Sequence, residues 1–336
     1  MKTRLFLNTL SILGVFAISP ILSTPANARV PLVTKPAVAA APVKPAQFVY
    51  IKELRGANGG LEAAQTAIRR FNPIRGKGPA IYLVAAVHIG EKSYYQQVQQ
   101  FLDKQSIVLY EGVKSSRKMA KPRAVKAVLP STAASGIKPP VGMQKKISEA
   151  LDLQFQLEGI RYNRPHFRNS DLDWETISAL AAKSGPDTQK QLGDLQHSVT
   201  GGPSVSSTDQ IMDKLIALAN FTPLAANVMR RLLVMALCVP DKSKLGVLAT
   251  QKPEENGLAA STKKLDLIII NERNKAVLTD LKTLLKKPKR NAPKPVQSIA
   301  VFYGAEHMKD IEKHLVSDFG YRTADAQWLT AIKTAH

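Results

Sequence analysis

Two apolar runs, each ending in a histidine, constrain this chain more than any other feature. They are Ile81-Tyr-Leu-Val-Ala-Ala-Val-His88-Ile-Gly90 and Ser298-Ile-Ala-Val-Phe-Tyr-Gly304-Ala-Glu-His307-Met308. Buried strands of a parallel sheet read as continuous apolar runs, and ligands gather where the carboxyl ends of such strands meet helix starts. A stretch able to form a helix follows each run, Lys92 to Leu102 and Lys309 to Leu315. The pattern predicts an α/β fold with a central, mainly parallel sheet flanked by helices. It is built from two similar strand-histidine-helix units, read as two related half-sites.

The chain has 336 residues, 44% of them hydrophobic, enough to bury a sizeable core. Lys2 and Arg4, the apolar span Leu5 to Leu22 and the small-x-small sequence Ala26-Asn27-Ala28 have the order of a cleaved signal peptide over residues 1–28. Asn8, Thr9 and Pro20 interrupt that span, so it reads poorly as a membrane anchor. No later stretch reaches a spanning length, and an exported protein of the periplasm or the extracellular space is expected. Pro31, Pro36, Pro42 and Pro45 mark residues 29–47 as an extended linker. One α/β domain is expected over 48–336, with a helical insertion at about 144–240.

The formal charge of +21 favours contact with an anionic surface such as that of a cell envelope. Lys114 to Lys146 is basic, rich in proline and devoid of acidic residues, and reads as a solvated loop or as a flap that attracts acidic substrates. It lacks aromatics for base stacking, which argues against a nucleic-acid partner. Lys286 to Lys294 reads as a basic connector. Cys238 cannot form an intrachain disulfide, being the only cysteine, and among Val234 to Leu237 it reads as a small hydrophobe.

Between the two runs several elements can be placed. Gly56 to Gly60 makes a turn, and Leu61 to Phe71 is expected to be a helix with Ala64, Ile68 and Phe71 on one side. Ser106 to Tyr110 is a strand followed at once by Glu111, a metal ligand or general base on this reading, and otherwise a cap or salt-bridge partner. Gln144 to Leu157, Trp174 to Ala182 and Gln210 to Leu237 have helical spacing, the last divided at Pro223. Asp171 or Asp173 would cap the helix that begins near Trp174. Leu265 to Leu285 reads as one long helix from which Glu272 and Arg273 emerge amid apolar neighbours, a setting that calls for a partner or a site.

His88, Glu111 and His307 are the set these spacings single out, since two imidazoles and a carboxylate are a common three-ligand arrangement for a catalytic metal. Zinc, manganese or cobalt would suit such ligands.

Gly304-Ala-Glu-His307, Ala85-Ala-Val-His88, Glu111 after the second strand and Asn271-Glu272-Arg273-Asn274 together resemble the TraB/PrgY/GumN family, to which the Tiki metalloproteases are related. The stretch Tyr162 to Asp171 is similar to that family's Tyr-x-Arg-Pro and acidic segment. The resemblance spans about Ile81 to Tyr321, and the first motif departs from it with Ala85 in place of a glycine. It implies a metal-dependent hydrolytic site of the peptidase type. Within that site His88, His307 and Glu111 hold a divalent metal, Glu111, Arg273 and Glu272 have catalytic places, and Tyr162, Arg164, Asp171 and Asn274 bind a peptide or other amide substrate. The alternative is a noncatalytic cell-envelope protein that sequesters a peptide, a metal or a cofactor.

Overall fold

The computed structural model describes residues 49–113, 143–200, 214, 216–220, 222–239, 264–286 and 296–335. The expected signal segment and linker, most of the first basic stretch and of the second, and the turn around Gly201 lie outside them. None of the described helices is long and apolar enough to cross a membrane.

A seven-stranded sheet is the centre of the fold. Its strands are β1 (Ile51–Arg55), β2 (Leu61–Pro73), β3 (Ala80–Ala86), β5 (Ile107–Tyr110), β7 (Phe167–Asn169), β8 (Ser298–Gly304) and β9 (Tyr321–Lys333), while β4 (Ile89–Gly90) and β6 (Gln154–Phe155) pair separately. β3, β8, β5 and β7 lie side by side and parallel. β1 and β9 run antiparallel to β2, and β2 antiparallel to β3. The α/β class therefore holds, and the sheet is mixed: a parallel part carries the histidine strands and an antiparallel part extends it.

The helices are α1 (Lys92–Leu102), α2 (Met143–Ala150), α3 (Gln156–Gly159), α4 (Trp174–Ser184), α5 (Pro186–Thr200), α6 (Pro223–Cys238), α7 (Arg273–Leu285) and α8 (Ala305–Ser317), with a π-helical turn, Leu267–Glu272, leading into α7. Period-two alternation along the parallel strands splits the core. Val84, Ala300, Phe302 and Val108 face α1 and α6, while Leu83, Val301 and Leu109 face Val277 and Leu281 of α7 and Met308, Ile311 and Leu315 of α8. Each fully buried aliphatic side chain of this kind stabilises by roughly 1.5–3 kcal/mol.

Three expectations need correction. Leu61 to Phe71 is not a helix but most of β2, whose two edges are paired along much of its length. Ala64 and Ile68 face one core and Ala67 and Phe71 the other, and a strand buried on both faces loses the alternation that marks strands in sequence. The segment 144–240 is not purely helical, because β7 within it joins the main sheet beside β5. The helix expected from Gln144 to Leu157 ends at Ala150, where Asp152 adopts a left-handed backbone (φ 46°) and the chain turns into β6.

Candidate functional site

Parallel pairing brings the ends of four strands to one rim. Ala86 of β3 lies level with Gly304 of β8, and Tyr110 of β5 lies level with Phe302 of β8 and Asn169 of β7. His88, His307, Glu111 and Asp171 each come one to three residues beyond those strand ends. Ala85 keeps strand backbone with no positive φ, so its methyl group is accommodated without backbone strain.

The polar centre is built on Arg273. Its helix buries Arg273, Asn274, Val277 and Leu281 along one stripe. Val277 and Leu281 fill the core, whereas Arg273 and Asn274, one turn earlier, meet the rim. Arg273 Nε donates to Asp171 Oδ1 at 2.9 Å, and Nη2 donates to Asp171 Oδ2 at 2.6 Å and to Glu111 Oε1 at 2.7 Å. Asp171 accepts two more bonds, from the backbone amides of Gly112 and Leu172. Asp171 is thereby saturated and fixes the plane of the guanidinium. The cap of α4 is Asp173, which accepts from Thr176 N at 2.8 Å.

Glu111 Oε2 accepts from Gly304 N at 2.6 Å, at the start of α8. A Cβ on Gly304 would stand 3.2 Å from that oxygen, so the glycine permits the approach. Burial opposes the charge on Glu111, yet the Arg273 guanidinium above all, with the Gly304 amide, holds its carboxyl well below the usual carboxylate range. His307 Nε2 stands 3.7 Å from Glu111 Oε1, too far for a hydrogen bond. Its Nδ1 lies 2.7 Å from Asn274 Oδ1, which makes Nδ1 the protonated nitrogen and turns the Nε2 lone pair toward Glu111. Burial keeps the His307 ring below its ordinary pKa against the pull of Glu111, and so neutral. The ring also packs edge-on against Tyr303, whose hydroxyl donates to Ser170 O.

The remaining site residues divide. His88 is half-buried and lies near enough to interact electrostatically with both Glu111 and His307, and its carbonyl accepts from Gln156 N at 2.9 Å. The Tyr162 ring lies 4.9 Å from Tyr110, and its hydroxyl accepts from Gln156 Nε2 at 3.0 Å. Burial, reinforced by the charge of Glu111, raises the Tyr162 pKa and keeps the phenol protonated. Asn274 is buried behind His307. Glu272 turns outward to Lys275 at 2.6 Å. Arg164 precedes β7, whereas Asp171 follows it, so Arg164 stands at the opposite end of that strand and pairs with Asp103 at 3.1 Å. A cleft of about 420 Å³ opens beside the Arg273–Asp171 pair, lined by Ser170, Thr176, Glu272 and Lys275 among others, and not by Glu111 or His307.

No family model, curated protein or solved structure matches this chain. The chemistry of the donor set is therefore the test of a metal. Two donors bound to one zinc at about 2.1 Å stand roughly 3.5 Å apart, close to the 3.7 Å between Glu111 Oε1 and His307 Nε2. One is a neutral nitrogen lone pair and the other an ionised oxygen, a pairing suited to a divalent ion. Among the described residues no group of three His, Cys, Asp or Glu side chains stands ready to hold one. The site thus offers two donors at ligand spacing, with His88 nearby.

Sequence reasoning did not single out Gln156 or Asp310. Gln156 follows a turn no pattern announces. Asp310 carried a signal, since it lies three residues after His307 on one helix and so on the same face.

Proposed function

We propose that this chain is an exported metal-dependent hydrolase of the TraB/GumN type that cleaves peptides or related amides. The observation that carries the reading is the convergence of an ionised Glu111 and the Nε2 lone pair of a neutral His307 at 3.7 Å, inside a rim braced by Arg273. Both histidines stand where a parallel strand gives way to a helix, His88 between β3 and the short β4 ahead of α1 and His307 in the first turn of α8 directly after β8, and this supports two related half-sites.

His307 and Glu111 would hold the metal and His88 would complete the set, with zinc, manganese or cobalt matching these donors. The ion would supply Lewis-acid activation of a water and of the scissile carbonyl. Glu111 would orient the attacking water as an ionised acceptor, its charge being maintained by Arg273. Nη1 of Arg273 makes no hydrogen bond to the described residues and has donors to spare for the developing oxyanion. The Tyr162 hydroxyl, held by Gln156, keeps a proton to donate to a substrate carbonyl.

A second reading is a noncatalytic envelope protein that retains a peptide, metal or cofactor. It is favoured by the saturation of Asp171 and by the two bonds already made by Glu111, a degree of fixation that suits holding as well as turnover. Metal analysis of the mature protein beside a His88→Ala/His307→Ala variant, with a peptide-cleavage assay on both, separates the readings. Wild type with bound metal and cleavage, both lost in the variant, supports the hydrolase. Wild type that takes up no divalent metal ends that reading and leaves the binding protein.

A further inference from the structure

Asn274 is fully buried between two partners on α8. Its Oδ1 lies 2.7 Å from His307 Nδ1, and its Nδ2 lies 2.9 Å from Asp310 Oδ2 and 3.4 Å from the His307 carbonyl. A carboxylate and a carbonyl only accept, so the amide end that faces them must be the NH2 group. The oxygen then faces His307, which can meet it only with a proton on Nδ1. The direction of every hydrogen bond in the chain follows from the carboxylate at its far end.

The contact with the His307 carbonyl is long, which leaves Asp310 as the principal acceptor. Without that carboxylate only the 3.4 Å contact to the His307 carbonyl holds the Asn274 amide, which can then turn over and present its NH2 to Nδ1. The imidazole proton would move to Nε2, point at Glu111, and leave no lone pair at the rim. One arrangement makes His307 a closed partner of Glu111, and the other makes it a ligand or base.

We propose that Asp310 is a positioning residue that sets the tautomer of His307 through Asn274. Its consequence for chemistry rests on the proposed function, because a lone pair on Nε2 matters only if His307 serves as a metal ligand. Asp310 is one turn beyond His307 on the same face of α8, and its second oxygen stands 3.8 Å from His314 Nε2 at the surface. The carboxylate thus faces outward with one oxygen and orders the buried amide with the other.

The test reads the tautomer directly by nitrogen-15 NMR of the imidazole in metal-free protein, with zinc affinity measured on the same samples. Wild type should show the proton on Nδ1. Asp310→Asn, whose own amide can donate or accept, should shift it toward Nε2 and weaken zinc binding by about 10- to 100-fold. Should that variant fail to fold, the double variant Asn274→Asp/Asp310→Asn decides, because it reverses the chain while keeping an acceptor against Nδ1. It should restore the wild-type tautomer, a recovery that a merely structural role for Asp310 does not produce. A wild-type proton on Nε2, no shift in Asp310→Asn, or no recovery in the double variant overturns the inference. A tautomer that shifts as expected with zinc affinity unchanged supports the positioning role and counts against the metal reading of His307.

Discussion

Glu312, buried on the inner face of α8, and Glu111, part-buried at the end of β5, are both carboxylates that meet an arginine. Glu312 accepts from Tyr50 at 2.5 Å, from Arg69 at 2.9 Å and from Thr323 at 3.3 Å. Arg69 and Thr323 belong to β2 and β9 and Tyr50 immediately precedes β1, so these donors tie α8 to the antiparallel part of the sheet. Glu111 accepts from Arg273 and Gly304 N, and its third neighbour is a neutral imidazole with a lone pair turned toward it. Around Glu312 every close polar neighbour donates, whereas around Glu111 two electron-rich atoms face each other. A buried carboxylate reads as structural when its surroundings complete its hydrogen bonding, and as a candidate site when they leave room for a cation or a proton.

The comparison is broken most severely at the arginines. Arg273→Leu strands the carboxylates of Asp171 and Glu111 together, and loss of one partner from a buried pair costs about 3–5 kcal/mol. Arg69→Leu removes one of several donors from Glu312, and its side chain is 17% exposed, so about 1–2 kcal/mol is expected. Denaturant midpoints compare the two variants, and equal losses would mean that the clusters are equivalent.

Glu312→Gln should lower stability by about 1–3 kcal/mol and leave divalent-metal uptake unchanged. His307→Ala should do the reverse, removing uptake and any cleavage at a cost of about 1–2 kcal/mol. Calorimetric melting paired with metal analysis reads both, and metal loss in the Glu312 variant would erase the distinction.

A smaller effect appears on acidification of the metal-free protein. His307 is depressed below its ordinary value near 6.5, so below that pH the unfolded chain binds a proton that the folded chain refuses, and stability falls as pH drops. Glu111 adds to this below about pH 4.5, because its folded-state pKa is also depressed and its contribution is lost as pH falls. His307→Ala should flatten the fall that begins near pH 6.5 and spare the one at lower pH, as followed by melting temperature against pH.

The smallest change is Gly304→Ala, which sets a methyl group 3.2 Å from Glu111 Oε2. A few tenths of an ångström of displacement, at about 1 kcal/mol, should weaken metal uptake more than it lowers the melting temperature.

Local pattern alone determined the parallel strands β3, β5 and β8, though not β7, together with α1, α4 and the division at Pro223, because apolar runs and helical spacing record burial on a single element. It also determined which residue types gather at the strand ends, since register puts residues just beyond parallel strands on one rim. It also drew attention to Arg273, as a charge on an apolar stripe, though not to the identity of its partners. Tertiary structure decided the rest. β2 is a strand because β9, from the far end of the chain, covers its second edge, and no local window contains that pairing. Arg164 and Asp171 share one stretch of sequence, yet three strand residues send them to opposite ends of the sheet. Glu272 and Arg273 are neighbours, yet helical geometry sends one to Lys275 at the surface and the other to Asp171 and Glu111. The direction of the Asp310, Asn274 and His307 chain belongs to no single segment, because hydrogen-bond polarity is a property of three side chains from two helices, with Asn274 within 3 Å of each of the other two.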